Sequence, residues 1–164
     1  MLSEKMEKAL NEQINKEMFS SYLYLSLAAW YETINLSGFA AYFKVQATEE
    51  YTHAMKIYDH VHARGGQVTL DAIAKPQTEW KGALDGLKAA FEHEQFISKS
   101  IFSLVELAHE IKDYSTVTFL NWFVEEQIEE EESALAVVTK LEMIGESKNS
   151  LYLFDRDMGK RAAK

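Results

Sequence analysis

The sequence predicts an all-α protein: a four-helix bundle with a long crossover between its second and third helices and a short fifth helix near the C-terminus. Three observations predict it. Only one proline and seven glycines occur among 164 residues, too few breakers to punctuate a chain of strands and turns. Apolar residues recur at spacings of three and four over four long stretches, the period of a helix with one buried face. The links that join the first stretch to the second and the third to the fourth are short, as between antiparallel neighbours. The length suits one domain, 1–164, with the bundle over about 3–142.

Ser3 is placed to cap the first helix, with Glu4 in the turn where the helix dipole favours an acid. Leu10, Ile14, Glu17, Ser21, Tyr24 and Ala28 then recur on one stripe, predicting a helix over about 3–32. Ser37 and Gly38 begin the second, whose stripe reads Phe39, Phe43, Gln46, Glu50, His53 and Ile57, and Gly65-Gly66 ends it near 65. Residues 66–82 contain Lys75-Pro76 and lack helical periodicity. About 17 extended residues reach on the order of 55 Å, more than the roughly 42 Å of a 28-residue helix, so this segment can run the length of the bundle. The third helix, about 83–111, carries Leu84, Leu87, Phe91, Glu94, Ser98, Ile101 and Val105. Asp113 caps the fourth, about 114–142, with Thr116, Leu120, Phe123, Gln127, Glu130, Ala134 and Leu141 inward, and Gly145 stops it. Leu151, Phe154 and Met158 predict the short helix over about 147–161, packed at one end or against a neighbour.

Each long stripe is interrupted by polar groups near its midpoint: Glu17, Glu50 with His53, Glu94, and Gln127 with Glu130. Helix midpoints in a bundle share one depth whichever way the helices run, so these side chains can converge. Four bare carboxylates in a core are untenable. Two divalent cations balance them formally, and hard oxygen donors with one imidazole suit iron, manganese or zinc. A second Glu-x-x-His, Glu106 with His109, lies about 18 Å along the axis from Glu94 and is read as a solvated helix end. His60, His62 and His93 are read as surface or supporting groups.

Composition excludes other classes. A net charge of −9 argues against nucleic acid as a partner and favours cations. Without cysteine there is no disulfide, thiolate site or cysteine nucleophile, which is compatible with a reducing compartment. No apolar run has membrane-spanning length and no signal segment is evident, so the expected location is the cytoplasm. No Gly-rich phosphate loop, His-Glu-x-x-His or nucleophile-elbow pattern occurs.

Tyr22-Leu-Tyr24-Leu, Glu49-Glu50-x-x-His53-Ala-Met, Arg64-Gly-Gly, the Lys-Pro crossover, Phe91-Glu-His-Glu94 and Phe123-Val-Glu-Glu-Gln127-x-Glu-Glu130 together resemble the prokaryotic non-haem ferritins over nearly the whole chain. The resemblance implies a ferritin-like fold, assembled as a hollow shell of 24 subunits. It implies a ferroxidase that oxidises Fe(II) with dioxygen or peroxide and stores the ferric mineral inside. Glu17, Glu50 and His53 would hold one iron and Glu50, Glu94 and Glu130 the second, Glu50 bridging, with Gln127 beside the second. Glu49, Glu126 and Glu129 match a third, weaker site, and Tyr24 matches a tyrosine that can donate an electron. Gln127-x-x-Glu130 stands where haem bacterioferritins and rubrerythrin-like peroxidases have a second Glu-x-x-His. Thr52 falls where the haem-ligating methionine of bacterioferritins would, so no haem is expected. Two rivals stay open on the residues alone: a di-iron peroxidase or oxygenase with a separate substrate, and a non-catalytic helical scaffold whose central acids form a buried polar network.

Overall fold

The computed structural model describes residues 1–162. They form α1 (Glu4–Thr33), α2 (Ser37–Ala63), α3 (Ala83–Glu110), α4 (Tyr114–Ile144) and α5 (Lys148–Ala162), with no strand among the described residues. Among the described residues no helix is long and apolar enough to cross a membrane.

Local chemistry sets the helix ends. Ser3, in extended backbone, accepts the Met6 N–H at 3.3 Å, and Glu4 and Glu7 occupy the first turn of α1. The second helix stops at Ala63 rather than at 65, because Gly65 takes φ +71° and the N–H groups of Gly65 and Gly66 return to the carbonyls of His62 and Val61. Asp113 accepts the Thr116 N–H at 3.1 Å and so caps α4. Its carboxylate also lies 2.9 Å from the Arg64 guanidinium, tying the end of α2 to the start of α4. The fourth helix continues past 142 to Ile144, where Gly145 takes φ +59°.

The crossover lies along α1 and borrows its hydrogen bonds there, since an irregular segment has no ladder of its own. Asn11 donates to the Gln67 carbonyl and accepts from the Thr69 N–H, both at 2.9 Å. Asn15 reaches the Ala72 carbonyl at 3.1 Å, Ser26 that of Gln77 at 2.6 Å and Tyr31 that of Ala83 at 2.7 Å. Residue numbers rise together on the two partners, so the crossover runs parallel to α1 and delivers α3 at the end where α1 finishes. Accordingly α1 and α4 run one way, α2 and α3 the other.

The fifth helix packs mainly on the start of α2. Leu36 gives α2 no side-chain cap, and Asp155 supplies one from α5 by accepting the Phe39 N–H at 2.9 Å. The two backbones meet at Gly38, where a Cβ would stand 1.7 Å from the Asp155 carbonyl oxygen.

Two apolar clusters fill the bundle. One, around Tyr24, Leu27, Tyr31, Phe39, Phe43 and Leu141, lies toward α5. The other, around Leu10, Ile14, Ile57, Ile101, Leu120 and Phe123, lies toward the opposite end. Glu17, Glu50, His53, Glu94 and Gln127 form a buried polar layer between them.

Candidate metal centre

Each of the four long helices sends at least one polar side chain into this layer. Glu17 comes from α1, Glu50 and His53 from one face of α2, Glu94 from α3 and Gln127 from α4, and all five are buried. Glu130, one turn beyond Gln127, is only half-buried. Five of the six residues expected to converge at one depth are thus interior, and the sixth, Glu130, stands at the edge.

Glu17, Glu50 and His53 each present a ligand atom within 4.8 Å of the other two. Donor atoms around a cation at about 2.1 Å lie up to roughly 4.2 Å apart, so the spacing is close to that of a coordination shell. His53 Nδ1 stands 3.7 Å from Glu50 Oε1, beyond hydrogen-bond reach. Glu17 Oε2 and Glu50 Oε1 are buried and take no hydrogen bond from a third residue, although the two carboxyls lie close enough to share a proton. Unpartnered buried carboxylate oxygens are costly, and two of them beside an imidazole fit a divalent cation.

A second group, His53, Glu126 and Glu130, meets the same spacing at the edge of the layer. Glu94 belongs to neither group. It accepts the Tyr24 hydroxyl on Oε1, and its Oε2 lies 3.2 Å from the Gln127 amide nitrogen.

The electrostatics describe a site that lacks positive charge. Burial raises Glu17 to about 7, and it raises Glu130 to about 8 with help from Glu94 and its acidic neighbours. Glu50 is pushed well above the carboxylate range by burial and by Glu94, Glu17 and Glu130. Glu94 is raised by burial, against the hydrogen bonds from Tyr24 and Gln127 that favour its ionised form. His53 is lowered to about 4 by burial and by Lys56, so its imidazole is neutral and able to ligate a metal at physiological pH.

Residues 7–144 match the ferritin-like domain family. A bacterial non-heme ferritin of Campylobacter jejuni is 44% identical over 156 residues, covering 95% of this chain and 93% of that one. Another, from Staphylococcus haemolyticus, is 38% identical over 162 residues, covering 99% and 98%. Among solved structures, an open-pore ferritin of the hyperthermophilic archaeon Archaeoglobus fulgidus superposes with a TM-score of 0.96 at 47% identity, covering 97% and 98%. The chain belongs to the ferritin family. Iron storage is the function that this membership carries, and the four-helix bundle with a short fifth helix is the expected ferritin fold.

In this ferritin the remaining predicted residues sit around the buried layer. Glu49 and Glu129 are exposed and Glu126 half-buried. With Gln46 and Glu130 they line one open cleft, where the Gln46 amide donates to Glu49 at 2.8 Å and to Glu130 at 3.3 Å. Tyr24 is buried, its hydroxyl pKa raised by burial and by Glu94 and Glu50. A small cavity lined in part by Tyr24, Phe43, Glu94 and Glu130 adjoins the centre.

Further side chains support this layer, among them Gln13, which the apolar stripes do not mark. Gln13 donates to Glu17 Oε1 at 2.8 Å, and its spacing of four from Glu17 on one helical face was the available signal. Ser98, which was on the inward stripe, donates to Glu131 and lies 3.3 Å from the Gln127 amide. His93, expected as a surface or supporting group, lies 2.7 Å from Ser20 Oγ with its ring against Tyr24, and burial lowers it to about 4. Ser21, placed on the inward stripe of α1, is half-buried and donates to the Ala47 carbonyl, while its neighbour Ser20 faces the core. Glu106 and His109 are exposed, as a solvated helix end should be.

Proposed function

We propose that this ferritin chain oxidises Fe(II) to Fe(III) at a carboxylate-bridged two-iron centre and deposits the ferric product inside a closed shell, by family resemblance one of 24 subunits. Glu17, Glu50 and His53 hold one iron; Glu50, Glu94 and Glu130 hold the other, with Gln127 beside it. The observation that carries this reading is the pair of buried carboxylate oxygens that no donor satisfies, Glu17 Oε2 and Glu50 Oε1, on two glutamates whose ligand atoms cluster within 4.8 Å of a neutral His53.

Fe(II) is substrate here. Two Fe(II) ions each give up one electron, and dioxygen takes both with two protons to form hydrogen peroxide. With peroxide as oxidant, the same electrons and two protons yield two waters. The carboxylates favour the ferric product because hard oxygen donors bind the higher charge more tightly. Because Glu17 and Glu130 titrate near neutrality, iron binding releases their protons.

Tyr24, against Glu94, is positioned to supply an electron, with the Glu94 carboxylate accepting its proton. The cleft of Glu49, Glu126 and Glu129 forms a third, weaker iron site, which the His53–Glu126–Glu130 spacing supports. Exposed apolar side chains such as Leu25, Phe96, Leu135 and Met143 support burial between subunits. We place the protein in the cytoplasm, without haem, nucleic acid or membrane as partner.

Stopped-flow absorbance after aerobic mixing of metal-free protein with about two Fe(II) per subunit, followed by size exclusion, tests the reading. Fast oxidation with iron retained in a very large particle is expected. Glu50→Ala should remove the fast phase and keep the fold; an unaltered fast phase would overturn the site assignment. Fast oxidation without retained iron would point to a peroxidase or oxygenase instead.

A further inference from the structure

Three polar side chains lead from the surface to Glu17. Lys16 Nζ lies 2.7 Å from Ser100 Oγ, Ser100 Oγ lies 2.6 Å from Gln13 Oε1, and Gln13 Nε2 lies 2.8 Å from Glu17 Oε1. Lys16, Gln13 and Glu17 belong to α1 and Ser100 to α3, so the chain crosses the helix interface. Gln13 is completely buried.

The direction of every bond follows from donor counting. An ammonium group can only donate, so Ser100 must accept from Lys16. Its single hydroxyl hydrogen then goes to Gln13 Oε1. That occupies the Gln13 carbonyl, so the amide NH₂ must face Glu17. Flipped, the amide would set its carbonyl oxygen against the Glu17 carboxylate, acceptor against acceptor, and turn its NH₂ toward a hydroxyl already accepting from Lys16. Lys16, half-buried, thereby favours one orientation of a completely buried amide three residues away on the same helix.

We infer that Lys16, Ser100 and Gln13 form a positioning relay that occupies one oxygen of Glu17 and leaves the other turned toward Glu50 and His53. The inference rests on reading Glu17 as a metal ligand. Glu17 Oε1 is taken by Gln13, and Oε2 is the buried atom without a partner. A carboxylate pinned by one oxygen offers the metal a single donor in a set direction, whereas an unpinned glutamate can rotate or chelate with both oxygens. Groups that orient a ligand from behind in this way commonly affect metal affinity by about 10–100-fold.

Co(II), which stays in the 2+ state on aerobic mixing, is the probe: the assembled protein is titrated and the visible absorbance of the bound ion gives affinity, stoichiometry and coordination. Gln13→Leu should weaken the tighter Co(II) site by about 10–100-fold and shift its spectrum. Ser100→Ala keeps Gln13 but releases its amide, and should weaken the site by about 2–12-fold. Ser100→Thr restores the hydroxyl and should bind within about twofold of the unaltered protein. Should Gln13→Leu fail to fold, the serine pair decides alone. Unchanged affinity and spectrum in Ser100→Ala would overturn the relay, and so would equal losses in Ser100→Ala and Ser100→Thr, which would mark a packing effect. Absence of Co(II) binding by the unaltered protein, or equal binding by Glu17→Ala, would instead overturn the metal reading of Glu17 and the relay with it.

Discussion

Tyr24 donates its hydroxyl hydrogen to Glu94 across the interface of α1 and α3. That bond keeps one oxygen of Glu94 engaged and favours its ionised form in a layer where burial favours the neutral acid. Removing it with Tyr24→Phe should cost about 1.5–3 kcal/mol, the range for a hydrogen bond to a charged group, read from a urea midpoint at unchanged slope. Fe(II) oxidation should slow by less than about tenfold, against its loss in Glu50→Ala. Equal losses in the two variants would make Tyr24 part of the site's essential architecture.

Glu50 is kept at a stability cost. Its carboxyl is buried, crowded by three acids and without a partner on one oxygen. Replacing such a group with an apolar residue of similar volume is often neutral or stabilising by about 1–4 kcal/mol. Glu50→Leu should therefore raise the melting temperature of the metal-free protein at pH 8. Zn(II) at about 100 times its Kd should add roughly 2.7 kcal/mol to the unaltered protein and nothing comparable to the variant. A variant that melts lower when metal-free would contradict this account.

Stability of the metal-free protein should fall as pH rises from about 6.5 to 8. Glu17 and Glu130 are raised from 4.5 to about 7 and about 8, so between those limits the folded state binds more protons than the unfolded state. Stability is full below 4.5 and is lost as pH rises through the folded values. His53 and His93, lowered from 6.5 to about 4, act oppositely, but only between about 4 and 6.5. Above that window the carboxylates act alone. Melting temperatures in matched ionic strength at pH 6.5, 7.2 and 8 test the sign, and saturating Zn(II) should flatten or reverse the trend because the metal displaces the same protons.

The contact between α2 and α5 should be intolerant of one methyl group. An alanine at Gly38 would place its Cβ 1.7 Å from the Asp155 carbonyl, and that clash is with backbone. Gly38→Ala should displace α5 and expose the linker after Gly145 to protease. Asp155→Ala removes only the cap on Phe39 and should cost about 0.5–2 kcal/mol, with α5 still docked. Equal protease sensitivity of both variants would mean that the cap, rather than the close approach, seats α5.

The bundle was legible in the sequence because periodicity reports which way each Cβ points and how deep it lies. The mid-helix polar residues stood out for the same reason: Glu17, Glu50, His53, Glu94 and Gln127 interrupt apolar stripes at one common depth, and all five are buried. Helix ends at Ser3, Gly65, Asp113 and Gly145 were readable because their chemistry is local. Other features depended on what lies opposite. Glu130 shares the inward stripe of Gln127, yet its carboxylate stands at the edge, bonded to Gln46 of α2. Asp155 caps a helix that begins more than a hundred residues earlier. The path from Lys16 through Ser100 to Gln13 needs α3 beside α1 before any of its bonds exists. By itself, the sequence determined the four long helices, their caps and the ring of acids at their midpoints. Only the tertiary structure decided which oxygen of each acid is occupied and which is left for a metal, because that choice belongs to rotamers and partners on other helices.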